Sequence, residues 1–303
     1  MYDIIIIGGG PAGLTAAIYA KRAGYTALIL EGGTLGGQAA TTPDIENWPG
    51  SLNVAGPDFA MNLYEQATAL GADIKFESVK ALTDGGKVKT VTTARNNYDG
   101  RAVIIANGVR RRKLEVEGEE RLAGRGVSYC ATCDGSFFKG KDTAVIGGGN
   151  TALEDALFLA NLCPTVYLIH RRDEFRAEKF LTDALAAASN IKPLMGHNVL
   201  EIKGENKVES IALEGPEGRT ELEVAGVFAA VGLIPDNGAF APPLELDQHG
   251  YILAGEDTRT NVEGIYAAGD TRVKDLRQLV TAASDGAAAA HQAGLYLQKL
   301  AEN

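Results

Sequence analysis

The chain has only three cysteines among 303 residues, too few for a disulfide scaffold. It has no apolar run approaching the roughly 18 residues needed to cross a membrane, so no membrane association is expected. Basic charge is also in short supply. The 29 Lys and Arg residues stand against 39 Asp and Glu, a formal net charge of -10. General affinity for nucleic acid needs basic surface to neutralise phosphates and is therefore not expected. The amino end lacks a signal-peptide pattern and enters the apolar run Ile4-Ile5-Ile6-Ile7 almost at once; a cytoplasmic location is the expectation. What is present is an ordinary folding composition, 45% hydrophobic, in a length that accommodates two domains.

The order strand, glycine turn, helix, strand occurs twice. The first copy runs from a strand at 3–7 through Gly8-Gly9-Gly10-Pro11-Ala12-Gly13 into a helix ending near Arg22, then a strand at 27–30 that leads to Glu31. The second runs from 143–146 through Gly147-Gly148-Gly149-Asn150-Thr151-Ala152 into a helix ending near Leu162, then a strand at 165–169. Apolar strands alternating with amphipathic helices predict an α/β fold with parallel, doubly wound sheets. Starts 139 residues apart predict two Rossmann-like domains. Further strands are expected at 74–79, 87–93, 102–105, 226–230 and 264–268, and a small-residue helix at 278–300. The cluster Arg110-Arg111-Arg112 reads as a solvated face.

A single G-x-G-x-x-G is weak evidence, but each copy here follows a strand and opens a helix, as dinucleotide binding requires. Gly8 permits the tight turn, Gly10 lets the backbone approach a pyrophosphate, and Gly13 lets the helix pack on the strand. Gly147, Gly149 and Ala152 take these parts in the second copy, and each helix amino end offers N–H groups to phosphate. The two sites part company at the end of the second strand. Glu31 lies 18 residues after Gly13, where an acid can accept hydrogen bonds from ribose hydroxyls, as in FAD or NAD. The same offset from Ala152 reaches His170, followed by Arg171 and Arg172, with Arg176 close behind. Guanidinium groups in that place suit a 2′-phosphate and point to NADPH.

Cys130-Ala131-Thr132-Cys133 is followed by Asp134-Gly135. A zinc site would need two further ligands. The remaining cysteine, Cys163, stands alone in an apolar stretch and reads as core, and His170, His197, His249 and His291 form no paired motif; no metal is expected. A dithiol–disulfide couple needs only the two thiols. Asp134 is the candidate proton donor and acceptor, provided that partial burial raises its pKa.

Along its whole length the chain resembles the low-molecular-weight, bacterial-type thioredoxin reductases, class II pyridine nucleotide-disulfide oxidoreductases. The resemblance rests on the Gly8–Gly13 turn, Gly36-Gly37-Gln38, Glu46-Asn47-Trp48-Pro49-Gly50, the Cys130-to-Gly135 motif, the second glycine turn, His170-Arg171-Arg172 with Arg176-Ala177-Glu178-Lys179, and Ala267-Ala268-Gly269-Asp270. It implies two three-layer ββα domains. A FAD domain at 1–109 and 239–303 is split by an NADPH domain at 110–238 that carries the cysteines. By resemblance the FAD contacts are Gly8, Gly10, Pro11, Ala12, Gly13, Glu31, Gly32, Gly37, Gln38, Asn47, Val79, Gly269, Asp270, Arg277, Gln278 and Leu279. Those for NADPH are Gly147, Gly149, Asn150, Thr151, His170, Arg171, Arg172 and Arg176. Cys133 is implied to face the flavin, Cys130 to attack the disulfide of thioredoxin or a thioredoxin-like protein, and Asp134 to be the acid–base residue. A homodimer is implied, as is rotation of the inserted domain between half-reactions about crossings near 109–113 and 233–239.

Three features depart from the family pattern: Asn107 where Thr is common, Leu233-Ile234 before Pro235 with Asp236-Asn237 after it, and a basic-tinged loop at 271–276 with no assigned role. Relatives with another electron source or sink remain as competitors: ferredoxin-fed reductases, dithiol oxidases and peroxidase-system reductases. The first two are expected to lack the arginines. A non-catalytic flavin-binding sensor would leave the aspartate beside the cysteines unexplained.

Overall fold

Strands buried on both faces should read as unbroken apolar runs, and Ile4, Ile5, Ile6 and Ile7 are at most 4% exposed in the computed structural model. The structure describes residues 1–42 and 44–302; Pro43 and Asn303, within the expected ranges 1–109 and 239–303, lie outside them. The chain divides into two units, Met1–Arg110 with Ile234–Asn303, and Arg111–Leu233.

In the first unit the sheet order is Asp73–Lys75, Ala27–Leu30, Tyr2–Ile7, Asn97–Ile105, Val88–Thr93, Val79–Gly85. Ile265–Ala267 also pairs with Asn97–Ile105, in parallel. The strands from Asp73–Lys75 to Asn97–Ile105 are parallel neighbours, and the last two add an antiparallel meander. Successive strand residues point to opposite faces, and the core divides accordingly. Ile4 and Ile6 pack with Leu14, Ala16 and Ala17 of the helix Pro11–Arg22 and with Ala289, Ala290 and Ala293 of the helix Leu279–Glu302. Ile5 and Ile7 pack with Leu82, Val91, Phe240 and Ile252 on the other side. The alanine-rich faces let the two helices lie close to the sheet.

The expected strand at 74–79 is two strands. Asp73–Lys75 belongs to the parallel sheet and Val79–Gly85 to the meander. The chain changes partners between them, where Glu77 turns aside to accept hydrogen bonds from Thr93, Asn96 and Tyr98.

The second unit has a parallel sheet in the order Val127–Ser128, Gly226–Ala229, Thr143–Ile146, Val166–His170, Ile191–Met195. Val145, Leu168 and Phe228 face the helices Asn150–Ala160 and Lys179–Ala187. Ala144, Ile146, Ile169 and Val227 face Ile202, Ile211 and Leu213 of a three-stranded antiparallel sheet, Asn198–Lys203, Ser210–Gly215 and Gly218–Glu223. The layering is helix, parallel sheet, antiparallel sheet. Among the described residues no helix is long and apolar enough to cross a membrane.

Candidate functional site

In the first glycine turn, Gly8 has φ +107°, and a Cβ there would lie 2.3 Å from the Ala106 carbonyl oxygen. A Cβ on Gly13 would lie 1.9 Å from the Gly8 carbonyl oxygen. The tight turn and the seating of the helix thus exclude any side chain at these two positions. Gly10, by contrast, faces open space, with nothing within 4 Å of where its Cβ would be, in front of a helix that begins with Pro11 at its first position. Glu31 is fixed by two backbone amides, its carboxylate accepting from Gly9 N–H at 2.6 Å and Gly33 N–H at 2.5 Å. Gly36 N–H donates to the Gly9 carbonyl, which brings Gly37 and Gln38 to the turn, and Gln38 donates to the Val109 carbonyl at 2.7 Å.

Gly269 lies against Ala12, 3.0 Å from Cβ to Cβ if it carried one. Asn47 donates to Gln278 at 3.1 Å, and the Arg277 guanidinium lies over the Tyr251 ring, 4.4 Å from its centre. The first unit therefore gathers the turn, Glu31, the 36–38 loop, Asn47 and the 269–279 segment. Free space before a helix amino end, walled by glycine and an amide-bound acid, fits a dinucleotide pyrophosphate and its ribose.

The second turn opens on a cavity of about 480 Å³ lined by Gly147, Gly148, Gly149, Asn150, Thr151, His170, Arg171, Arg172 and Arg176. Gly149 faces open space as Gly10 does. The basic loop is tied over the turn: Arg176 N–H donates to the Gly148 carbonyl at 2.7 Å, and Asn150 exchanges two hydrogen bonds with Glu178. Arg171, Arg172 and Arg176 are exposed, and none has a salt-bridge partner among the described residues. His170 is different in kind. Its ring is buried under Gly148, whose Cβ would meet it at 2.3 Å, and stacks on Phe175. Burial holds its pKa below the usual value, with Arg171 and Arg176 adding to it and a backbone hydrogen bond at Glu174 opposing, so its charged form is disfavoured.

Arg112, Lys113, His197 and Asn198 also line this cavity. Sequence reasoning missed them. The cluster read as a solvated face is divided: Arg110 pairs with Asp236, whereas Arg112 faces the cavity. His197 arrives through backbone pairing, its N–H on the His170 carbonyl and that of Gly196 on the Arg172 carbonyl, which no local motif reveals.

Cys130 and Cys133 are joined by a disulfide, with Cα atoms 5.3 Å apart. Cys130 caps the short helix Ala131–Asp134, so one helical turn brings the two sulfurs together, and the Asp134 N–H closes it on the Cys130 carbonyl at 3.1 Å. Two side chains hold the amino end of this helix, and sequence reasoning found neither. Ser128, 5% exposed, donates to Asp134 Oδ2 and accepts from the Cys130 N–H at 3.1 Å. Asp155, on the apolar face of the helix Asn150–Ala160, accepts from the Ala131 N–H; burial pushes its pKa up to about 7, with that hydrogen bond opposing and Glu154 assisting. An acid within the stripe Leu153, Ala156, Leu159 was the available signal. Cys163 is buried, its thiol donating to the Phe138 carbonyl. Among the described residues no group of three His, Cys, Asp or Glu could hold a metal ion.

The departures noted in the sequence have structural parts to play. Asn107, Asn237 and Thr271 form one hydrogen-bonded cluster in the first unit. The basic-tinged loop turns inward: Arg272, 1% exposed, and Lys274 both bind the Asp285 carboxylate, which also accepts the Gly269 N–H at 2.9 Å. Burial works against charge here, but the bonds from Arg272 and Lys274 hold the Asp285 pKa below the usual carboxylate value.

Comparison with known proteins agrees with this geometry. The model of the pyridine nucleotide-disulphide oxidoreductase family matches residues 2–287. The chain is 43% identical over 305 residues to a thioredoxin reductase of Listeria innocua, covering 100% of this chain and 96% of the relative. The crystal structure of thioredoxin reductase from Streptococcus pyogenes superposes with a TM-score of 0.94 at 41% identity over 99% of each chain. That of the Lactococcus lactis thioredoxin reductase, described as an FR conformation, does so at 0.69 and 39% identity, over 99% of this chain and 100% of that one.

Proposed function

Given that this chain belongs to the pyridine nucleotide-disulphide oxidoreductases, and among them to the low-molecular-weight thioredoxin reductases, we propose the following division of labour among its residues. The enzyme is an NADPH-dependent thioredoxin-disulfide reductase whose cofactor is FAD. The first unit holds FAD through Gly8, Gly10, Gly13, Glu31, Gly37, Gln38 and Asn47, with Gly269, Asp270 and residues 277–279. The second holds NADPH in the cavity behind Gly147 and Gly149, with Arg171, Arg172 and Arg176 on its 2′-phosphate. The observation that carries this reading is the Cys130–Cys133 disulfide, built into the same unit as that cavity.

Bound FAD would supply the two-electron chemistry by which NADPH reduces the Cys130–Cys133 disulfide to a thiolate at Cys130 and a thiol at Cys133. The protein supplies the thiol chemistry that follows. Cys130 Sγ attacks one sulfur of the thioredoxin disulfide, and the other thioredoxin sulfur leaves and takes a proton from Asp134. Cys133 Sγ then attacks Cys130 Sγ, which re-forms the disulfide and releases the second thioredoxin sulfur. Asp134 regains its proton from the thiol of Cys133. The pair must meet the flavin in one half-reaction and a protein in the other, so the second unit rotates between them. Thioredoxin or a thioredoxin-like protein is the partner. The motifs shared with bacterial-type reductases support a cytoplasmic homodimer.

Cys133→Ser tests the reading. NADPH should still bleach the flavin while thioredoxin reduction is abolished. Thioredoxin reduction at the native rate would overturn the assignment.

A further inference from the structure

We propose that Ser128 is a positioning residue for the proton transfer at the cysteine pair, acting through Asp134. The inference rests on the reading of Asp134 as the acid–base residue. Ser128 lies on the strand Val127–Ser128, paired in parallel with Phe228 of the neighbouring strand, and it is buried at 5% exposure. Its backbone is thus fixed by the sheet, and its hydroxyl is directed by three polar atoms. It donates to Asp134 Oδ2, accepts from the Cys130 N–H at 3.1 Å, and lies 3.4 Å from the Cys130 carbonyl oxygen.

A hydroxyl has one hydrogen and two lone pairs. Its hydrogen cannot serve Asp134 and the Cys130 carbonyl together. While Asp134 is ionised, the carboxylate is the stronger acceptor and takes it. Once Asp134 carries a proton, the carboxyl can donate to Oγ, and the hydroxyl hydrogen can turn to the Cys130 carbonyl. One rotation about the Cβ–Oγ bond therefore keeps the group satisfied in both protonation states. No atom of the cysteine loop has to move, because Oγ accepts from the Cys130 N–H in either state. The acid–base residue and the backbone of the attacking cysteine share one buried anchor, and the proton comes and goes without disturbing their spacing.

The test is a double-mutant cycle on the FAD-loaded enzyme, with Ser128→Ala, Asp134→Asn and the pair. Thioredoxin turnover is read at saturating NADPH, and the rate of flavin bleaching by NADPH is read alongside. Ser128→Ala should lower kcat about tenfold, a fraction of the 10²–10⁴ that a positioned acid–base group contributes. It should leave the KM for NADPH and the bleaching rate unchanged, which also shows that the fold is intact. In the Asp134→Asn background the same substitution should change kcat less than about twofold, since its route of action is gone. Ser128→Thr, which keeps the hydroxyl, should restore most of the activity. A full tenfold loss in the Asp134→Asn background would overturn the inference, as would an Ala variant with native kcat beside a crippled Asp134→Asn. An Asp134→Asn enzyme of native activity would overturn the assignment of Asp134 itself, and this inference with it.

Discussion

Each unit of this protein contains a basic loop and a buried aspartate, and the two units use them in opposite ways. In the first, Arg272 and Lys274 turn inward onto Asp285, and that carboxylate in turn holds the Gly269 N–H. In the second, Arg171, Arg172 and Arg176 stay exposed around a cavity, and Asp155 is buried with a backbone N–H in place of a cation, its pKa pushed up to about 7. Paired charge is structural, because separating it leaves an ion stranded in the interior. Unpaired surface charge contributes little to stability and is free to meet a ligand. The two loops look alike as sequence, and only their partners tell them apart.

The largest expected effect strikes the paired side. Asp285→Ala should leave the buried Lys274 without its carboxylate and Arg272 with Glu256 as its remaining anionic partner among the described residues, and lower stability by about 3–5 kcal/mol, read from denaturant unfolding with and without FAD. A loss under about 1 kcal/mol would mean that the cluster is solvated and the comparison false. A pH effect at Asp155 comes next. Its folded pKa of about 7 stands above the ordinary 3.8, so the native protein loses stability as pH rises through that window and loses no more above it. Asp155→Asn lacks this loss. The stability of the variant relative to native should therefore rise between pH 4 and 7, by up to about 4 kcal/mol. A pH-independent difference would show that Asp155 ionises freely. The smallest effect belongs to the exposed side. Arg171→Ala with Arg172→Ala should raise the KM for NADPH roughly 10- to 100-fold, about 1.4–2.8 kcal/mol. It should hardly alter the KM for NADH and should move stability by less than about 0.5 kcal/mol.

Much of the framework was legible because the local chemistry is strict. Gly8 and Gly13 admit no side chain, Ile4 to Ile7 are apolar on both faces of the sheet, and Cys130 and Cys133 lie one helical turn apart. The equal offsets to Glu31 and His170 lead to an amide-bound acid in one unit and to a basic loop beside a cavity in the other. What escaped depends on partners distant in sequence. The burial of Arg272 is decided by Asp285 on the last helix, and the approach of His197 to the basic loop by backbone pairing between strands. Ser128 ends a two-residue strand too short to announce itself. The antiparallel sheet from Asn198 to Glu223 went unread because one of its faces is exposed and its residues are mixed in polarity. His170 stands beside two arginines in the sequence, and only the fold shows its ring buried under Gly148, which disfavours its charged form.

The most direct test of the account is stopped-flow bleaching of the flavin at 25 °C with equal concentrations of NADPH and NADH. The exposed, unpaired arginines require NADPH to reduce the flavin much faster, with the advantage lost when Arg171 and Arg172 are both replaced by alanine. Equal rates with the two nucleotides in the native enzyme would contradict the assignment of the second unit's basic loop to the 2′-phosphate.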